Sequence, residues 1–288
     1  MTSAIALQVF NKPDLTLELL TSLSNAFGVE TYRVYVLQDS LSGALSSKRY
    51  APDHARTKAV VEAWLQQNAT RFVAASFREN DTNLGTCKTT QAVIDWALTD
   101  CDDVIFSEDD TTFEPDALMW FRAMLAHEAF AAGDVWAVAG ESKIFDSGGA
   151  PVTQEQLAEG HAAVTNEGLL AEFIRLSFLP STCFATNRQK WSEFGATRGH
   201  PNGDRDVNIR CKEEGRFSLW PVVARVSDNG MHHPNGFSVL VHKSPERVSN
   251  KKQNIASGQF GVCEHGFVEK TRNVGGLFSR FSTGWRNT

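Results

Sequence analysis

Strand-like and helix-like segments alternate through the first 140 residues, and this alternation narrows the possible folds more than any other feature of the chain. Apolar runs at Ala4–Phe10, Tyr32–Leu37, Arg71–Phe77, Val104–Phe106 and Val135–Val138 are too short for helices and predict strands. Pro13 opens a helix at its first turn, where a missing N–H costs nothing. Leu15, Leu17, Leu19, Leu20 and Leu23 give that helix its apolar face. Further helices are expected at Ala55–Gln67, Thr86–Thr99 and about Asp116–Glu128. Later in the chain Arg205–Glu214 has helical character, Phe217–Val226 reads as a strand, and residues 146–166 read as an exposed loop. Such alternation implies an α/β fold, a mostly parallel central sheet flanked by helices on both faces. Ligands bind such sheets beyond the carboxyl ends of the strands. Asn11 and Lys12, Asp39, Asn83, and Glu108 to Asp110 follow successive strands there.

Composition removes several function classes. The 288 residues contain no run of about 18 apolar side chains, so no transmembrane helix is expected. The opening Met1–Phe10 lacks a basic start and reads as a first strand, not a secretion signal. Five scattered cysteines without CxxC spacing (Cys87, Cys101, Cys183, Cys211, Cys263) argue against a zinc site and fit a cytoplasmic location. Residues 1–241 carry 20 Lys/Arg against 31 Asp/Glu, and this acidic body does not suit broad nucleic-acid binding. Residues 242–288 reverse the balance, with 8 against 3. Within that basic extension Phe278, Phe281 and Trp285 stand at helical spacing beside Arg280. They fit either a helix that closes onto the domain or a peripheral contact with the anionic inner face of a membrane.

Three segments carry candidate chemistry. Glu108-Asp109-Asp110 places like charges in a row, which is costly unless something positive sits among them. A divalent cation (Mn2+ or Mg2+) held through carboxylate oxygen would meet that need; a solvated acidic turn before a helix would show the same residues. Asp204 follows Pro201-Asn202-Gly203 at the start of a helix, suiting either a general base or a helix cap. Asp206 and Arg210 lie four apart, where they can pair. His232 and His233, in a Gly-rich loop, fit a metal or phosphate site or simple exposure. There is no HExxH, GxxxxGK[ST] or GxSxG, so zinc hydrolases, P-loop kinases and α/β-hydrolases lack support.

Taken in order, these pieces resemble GT-A glycosyltransferases, most of all bacterial family-2-like enzymes and the N-acetylglucosaminyltransferase I group. The resemblance runs from Ala4 to Gly236. It rests on Phe10-Asn11-Lys12-Pro13, Gln38-Asp39, Asn83-Leu84-Gly85, Glu108-Asp109-Asp110, Ala139-Gly140-Glu141, Ser181–Trp191, Gly203–Arg210 and His232–Gly236. It implies that Val9, Phe10, Asn11 and Lys12 contact base and pyrophosphate, and Asp39 the base or ribose. Asn83, Leu84 and Gly85 would line the nucleotide's edge, with Lys88 nearby, and Glu108 and Asp109 would meet ribose and sugar. Asp110 and His232 would ligate the metal. Asp204, with Asp206 beside it, would provide the base of an inverting transfer. Gly140, Glu141 and Trp191 would face a glycan or lipid-linked acceptor. The donor would be a nucleotide sugar, UDP-linked, and the domain would span 1–241, with a donor half (1–140) and an acceptor half (141–241). Glycine at 203, in place of an acid, and the extra residue before His232 depart from the family pattern. A sugar nucleotidyltransferase would share the architecture but wants a GxGxR loop after the first strand, absent from Val9–Pro13. A non-catalytic carbohydrate-binding or assembly module on the same fold is the other alternative.

Overall fold

The computed structural model describes residues 3–44, 47–142, 171–200, 203–230 and 233–236, and the backbone of 268–269. Strands β1 (Ser3–Val9), β2 (Tyr32–Gln38), β3 (Ala74–Glu79) and β4 (Asp103–Glu108) lie parallel in the order β4-β1-β2-β3. Between them run helices α1 (Pro13–Ser24), α2 (Ser47–Asn68) and α3 (Gly85–Asp100). Because β1 is an interior strand, both of its faces are covered, so Ala4–Leu7 is continuously apolar instead of alternating with polar residues. Ile5, Leu7 and Val9 pack on the face that holds Leu19, Leu20 and Leu23 of α1. Ala4 and Ala6 meet Val93, Ile94 and Ala97 of α3 on the other.

The sheet continues beyond β4 through β6 (Val135–Ala139), β7 (Glu172–Leu176), β8 (Cys183–Asn187) and β9 (Phe217–Pro221). A two-residue strand, β11 (Val268–Glu269), ends it, giving nine strands in the order β11-β7-β9-β6-β8-β4-β1-β2-β3. Five of the eight pairings are parallel, and β8 enters antiparallel between β4 and β6. The remaining helices are α4 (Ala117–Leu125), α5 (Glu128–Ala131), α6 (Arg188–Glu193) and α7 (Gly203–Glu213). Separately, β5 (Thr111–Phe113) pairs antiparallel with β10 (Val226–Asp228), tying the chain after β4 to the segment before Gly230. The mixed α/β architecture expected from the alternation is therefore the one observed.

Several boundaries differ from the sequence reading for local reasons. Helix α2 starts at Ser47, not Ala55, and carries Pro52 near its beginning, where losing one backbone donor is tolerated better than in mid-helix. Strand β3 starts at Ala74 because Ala69–Arg71 forms a tight helical turn that seats Phe72 against Trp64, with ring centroids 5.3 Å apart. The run 217–226 splits into β9 and β10 at Pro221, which has no N–H to extend a ladder. The helix expected at 116–128 breaks into α4 and α5, and His127 caps the second by accepting the Ala129 N–H at 3.0 Å. Cys87, Cys101, Cys183 and Cys211 are free thiols. No helix among the described residues is long and apolar enough to cross a membrane. The loop expected at 146–166, His232, Cys263 and the aromatic tail around Phe278 to Trp285 lie outside the described residues.

Helix α1 gives a direct test of the packing. Leu20 is fully buried, whereas Leu17 is 50% exposed. Leu20→Ala is expected to lower unfolding free energy by about 2–5 kcal/mol in urea, and Leu17→Ala by roughly 0.5 kcal/mol or less. Equal losses would mean that α1 presents a different face to the sheet.

Candidate functional site

The site forms at the carboxyl edge of the sheet, where β1 and β4 end side by side with Gln8 opposite Glu108. After β4 the chain turns through Asp109 and Asp110 before entering β5. Both aspartates are buried, and the apolar strand behind them gives them no solvent to face. The positive charge that the sequence demanded comes first from the protein itself. Lys12 Nζ donates to Asp109 Oδ1 at 2.9 Å and to Asp110 Oδ2 at 2.7 Å. The Phe10 N–H donates to Asp109 Oδ2 at 3.0 Å. Burial would pull the Lys12 ammonium down, but the facing carboxylates of Asp109 and Asp110 outweigh it and hold the amine well above its ordinary range. Glu108 is pushed well up, by burial and then by the Asp110 charge, with Arg198 and Lys12 opposing.

One oxygen of this cluster stands apart. Asp110 Oδ1 is buried and has no hydrogen-bond partner among the described residues. Leaving a carboxylate oxygen unpaired is expensive unless something else meets it. A hard divalent cation, which takes oxygen ligands, fits this atom. Lys12 alone cannot answer for it, because its ammonium is already turned to Asp109 and to the other oxygen of Asp110. Among the described residues no group of three His, Cys, Asp or Glu side chains forms a ready cation cage. His232, the other expected ligand, lies outside those residues.

The loop after β10 packs against the same turn. Asn229 N–H donates to the Asp110 carbonyl at 2.6 Å. A Cβ on Gly230 would lie 1.8 Å from Asp110 Oδ2, so only glycine fits there. Beyond it His233 Nε2 lies 3.0 Å from Asp14 Oδ1. Asn235 Nδ2 donates to the Asn11 carbonyl at 3.0 Å and to Asp53 Oδ2 at 3.1 Å. The cleft between these parts is lined by residues 8–12, Thr86, Glu108, Asp109 and Asn235. Val9, Phe10, Asn11, Lys12, Glu108 and Asp109 thus line one cleft. Val9 and Asn11 are buried, so Val9 contributes backbone; Phe10 packs edge-on against Tyr50 and His54.

Asp39 is engaged by the protein's own backbone and side chains. Its Oδ1 accepts from Ser40 N–H (3.0 Å), Asn80 Nδ2 (2.9 Å) and Leu84 N–H (2.9 Å). Its Oδ2 accepts from Asn83 Nδ2 (3.0 Å) and Gly85 N–H (2.9 Å). Five donors from two loops thus converge on one buried carboxylate. Asp39 organises the loop that opens α3, with Gly85 at φ +74° at its bend. Leu84 stays at the surface beside it, 36% exposed, and Lys88 is exposed one turn into α3.

The second-half candidates divide. Asp204, in the first turn of α7, reaches the triplet through Arg198, a fully buried side chain on the turn Gly195–Gly199. Arg198 Nη1 lies 2.9 Å from Asp204 Oδ1, and Nη2 lies 3.6 Å from Glu108 Oε1. Asp206 faces His200 Nδ1 at 3.4 Å, and Arg210 pairs with Glu214 at 2.7 Å, not with Asp206. Trp191, on α6, is buried in the core shared with α3, its Nε1 donating to Asp95 Oδ1 at 2.7 Å, so its ring presents no face to an acceptor. Gly140 and Glu141 are buried too. The Gly140 carbonyl accepts from Arg225 and Val226, and a Cβ there would come within 2.7 Å of Val226 Cγ2. Arg198, Asn235 and Thr86 were missed as site residues. Only Arg198 had a readable signal, a cation six residues before Asp204.

No protein-family model and no curated protein matches the chain. Among solved structures it is similar to the crystal structure of S. aureus TarS 1–349, with 14% identity over 80% of this chain and 61% of that one, TM-score 0.49. The same fragment in complex with UDP gives 13% identity, 78% and 60% coverage, and TM-score 0.47. A further S. aureus TarS crystal structure gives 12%, 77% and 37%, and TM-score 0.44. The chain therefore spans about three fifths of the length of the first two.

The Asp39 hub yields a measurable outcome. Asp39→Asn puts an amide N–H among donors, and the lost charge-assisted bonds are expected to destabilise the fold by roughly 1.5–3 kcal/mol each at most. Amide exchange at Leu84 and Gly85 should accelerate ahead of global unfolding. Unchanged protection at both amides would show that the loop does not depend on Asp39.

Proposed function

We propose that the chain is a GT-A-type glycosyltransferase that moves a sugar from a nucleoside-diphosphate sugar, UDP-linked, to a hydroxyl acceptor. The observation that carries this reading is the convergence of three distant segments at one sheet edge. The end of β1 brings Lys12, the turn after β4 brings Asp109 and Asp110, and α7 brings Asp204. Separating sugar from diphosphate calls for positive charge at the leaving group and a carboxylate on the acceptor side.

In this reading Lys12 and the main chain of residues 9–12 receive the diphosphate, and Phe10 flanks the base. Asp39 positions Asn83 to Gly85 at the nucleotide's edge. Asp110, through its unpartnered oxygen, would hold a divalent cation together with His232, and that cation would neutralise charge developing on the departing diphosphate. Asp204, with its side chain about half exposed, takes the proton of the acceptor hydroxyl as the hydroxyl oxygen bonds to the anomeric carbon. The bond from that carbon to the diphosphate oxygen breaks in the same displacement, its electron pair leaving with the nucleotide and the configuration inverting. The acceptor is a glycan or a lipid-linked hydroxyl. The basic extension 242–288 is proposed to hold an anionic or membrane-borne acceptor near the site, in a cytoplasmic setting.

Thermal melting against nucleotide sugars, with Mn2+ or with chelator, tests donor and metal together. A ligand at a hundredfold its Kd adds about 2.7 kcal/mol of stability, which a melting curve resolves. Asp110→Ala is expected to remove the metal-dependent part of the shift and to abolish transfer. Full turnover by this variant in chelator would overturn the metal assignment. Asp204→Asn should slow transfer by roughly 10²–10⁴-fold while nucleotide binding survives. A product that keeps the donor's anomeric configuration would rule out Asp204 as the base of an inverting transfer.

A further inference from the structure

Among the described residues Arg198 is the most deeply buried cation near the cleft, and the proposed reaction steps leave it without a role. Its side chain is 1% exposed, whereas the Asp204 side chain it meets is 55% exposed. Nη1 contacts Asp204 Oδ1 at 2.9 Å and donates to Cys87 Sγ at 3.1 Å; Nη2 stands 3.6 Å from Glu108 Oε1. The backbone around it has no slack. A Cβ on Gly199 would lie 1.7 Å from Gln91 Oε1, and one on Gly203 would lie 2.0 Å from the Arg198 carbonyl oxygen. The Gln91 amide is the far end of a flexible side chain and can move aside, but the Gly203 contact is with backbone, so Gly203 lets the turn Gly195–Gly199 press against the start of α7 and fixes the origin of the guanidinium there. A planar guanidinium with donors on separate nitrogens can face two carboxylates at once, which a single ammonium cannot do in the same geometry. Asp204 Oδ2 is the oxygen outside this ion pair, on a side chain that is about half exposed.

We propose that Arg198 is a positioning residue for the transfer. It grips Asp204 by one oxygen, leaves the other free to receive the acceptor proton, and sets the distance from that oxygen to the donor-side carboxylate of Glu108. The assignment rests on the reading of Asp204 as the base. It also accounts for the glycine at 203, where the resemblance leads one to expect an acid: any Cβ there would collide with the Arg198 backbone.

The test uses the full chain and the variants Arg198→Lys, Arg198→Ala and Asp204→Asn. The rate of UDP release from a panel of UDP-hexoses with Mn2+ is measured beside the Kd of UDP. Arg198→Lys is expected to lower kcat by roughly a hundredfold, the scale of an ångström-sized misplacement, with the UDP Kd little changed. Added methylguanidinium should restore part of the Arg198→Ala rate. A loss that follows the melting temperature, spreads equally to UDP affinity and resists methylguanidinium would overturn the proposal. So would a full rate in Arg198→Lys while Asp204→Asn is inactive, an outcome that leaves the base assignment standing. A fully active Asp204→Asn would instead refute that assignment, and the proposal with it. The pairing itself is tested without any donor. Melting midpoints of Arg198→Lys, Asp204→Asn and the double variant should be non-additive, and strict additivity would also overturn the proposal.

Discussion

The arrangement at the sheet edge depends on how negative charge at the end of a buried strand is balanced. The buried middle of β4, Val104–Phe106, lies between β1 and β8, and the strand delivers Glu108, Asp109 and Asp110 to a place with little water. Carboxylates in such surroundings must be met by cations or dipoles. Lys12 meets two of them and the Phe10 N–H supports one, while Arg198 faces the third from the far half of the chain. The end of β1, the turn after β4 and the approach to α7 are thereby held together by charge as well as by the sheet. The unpartnered Asp110 Oδ1 is where this balance stays incomplete within the described protein.

A second hub keeps the opposite wall in place. Asp39 gathers five donors from residues 40, 80, 83, 84 and 85, and so fixes where α3 begins. Since α3 also packs against the turn that carries Arg198, the two hubs are mechanically linked. Gly199 closes on Gln91 of that helix, and Cys87 of the same helix touches the Arg198 guanidinium. The loop that opens α3 and the Arg198–Asp204 pair are therefore both anchored on one helix.

The pairing of β5 with β10 adds a third constraint. It brings the segment after β10 back to the Asp110 turn, where only glycine fits at 230, and lets Asn235 reach the Asn11 carbonyl. Residues more than two hundred positions apart then line one cleft. Antiparallel insertion of β8 beside β4 is what joins the two halves into one sheet.

By itself the sequence determined the order of the four parallel strands β1 to β4 and of the helices between them, because an apolar run of strand length that ends in polar residues has few other solutions. It also determined that the carboxylate triplet would need a positive partner, since like charges at the end of an apolar strand repel whatever the fold. Charge balance did not say which cation answers, and Lys12 and Arg198 became partners only when the sheet brought them within reach. Strands β5, β7 and β8 were not legible: β5 is three residues long, and β7 and β8 owe their places to pairing with distant strands. Tertiary structure alone decided that Asp39 accepts from the loop that opens α3 and that Trp191 belongs to the core. A carboxylate or an indole looks the same in sequence whether it meets a ligand or a neighbouring backbone, and only the packing around it distinguishes the two.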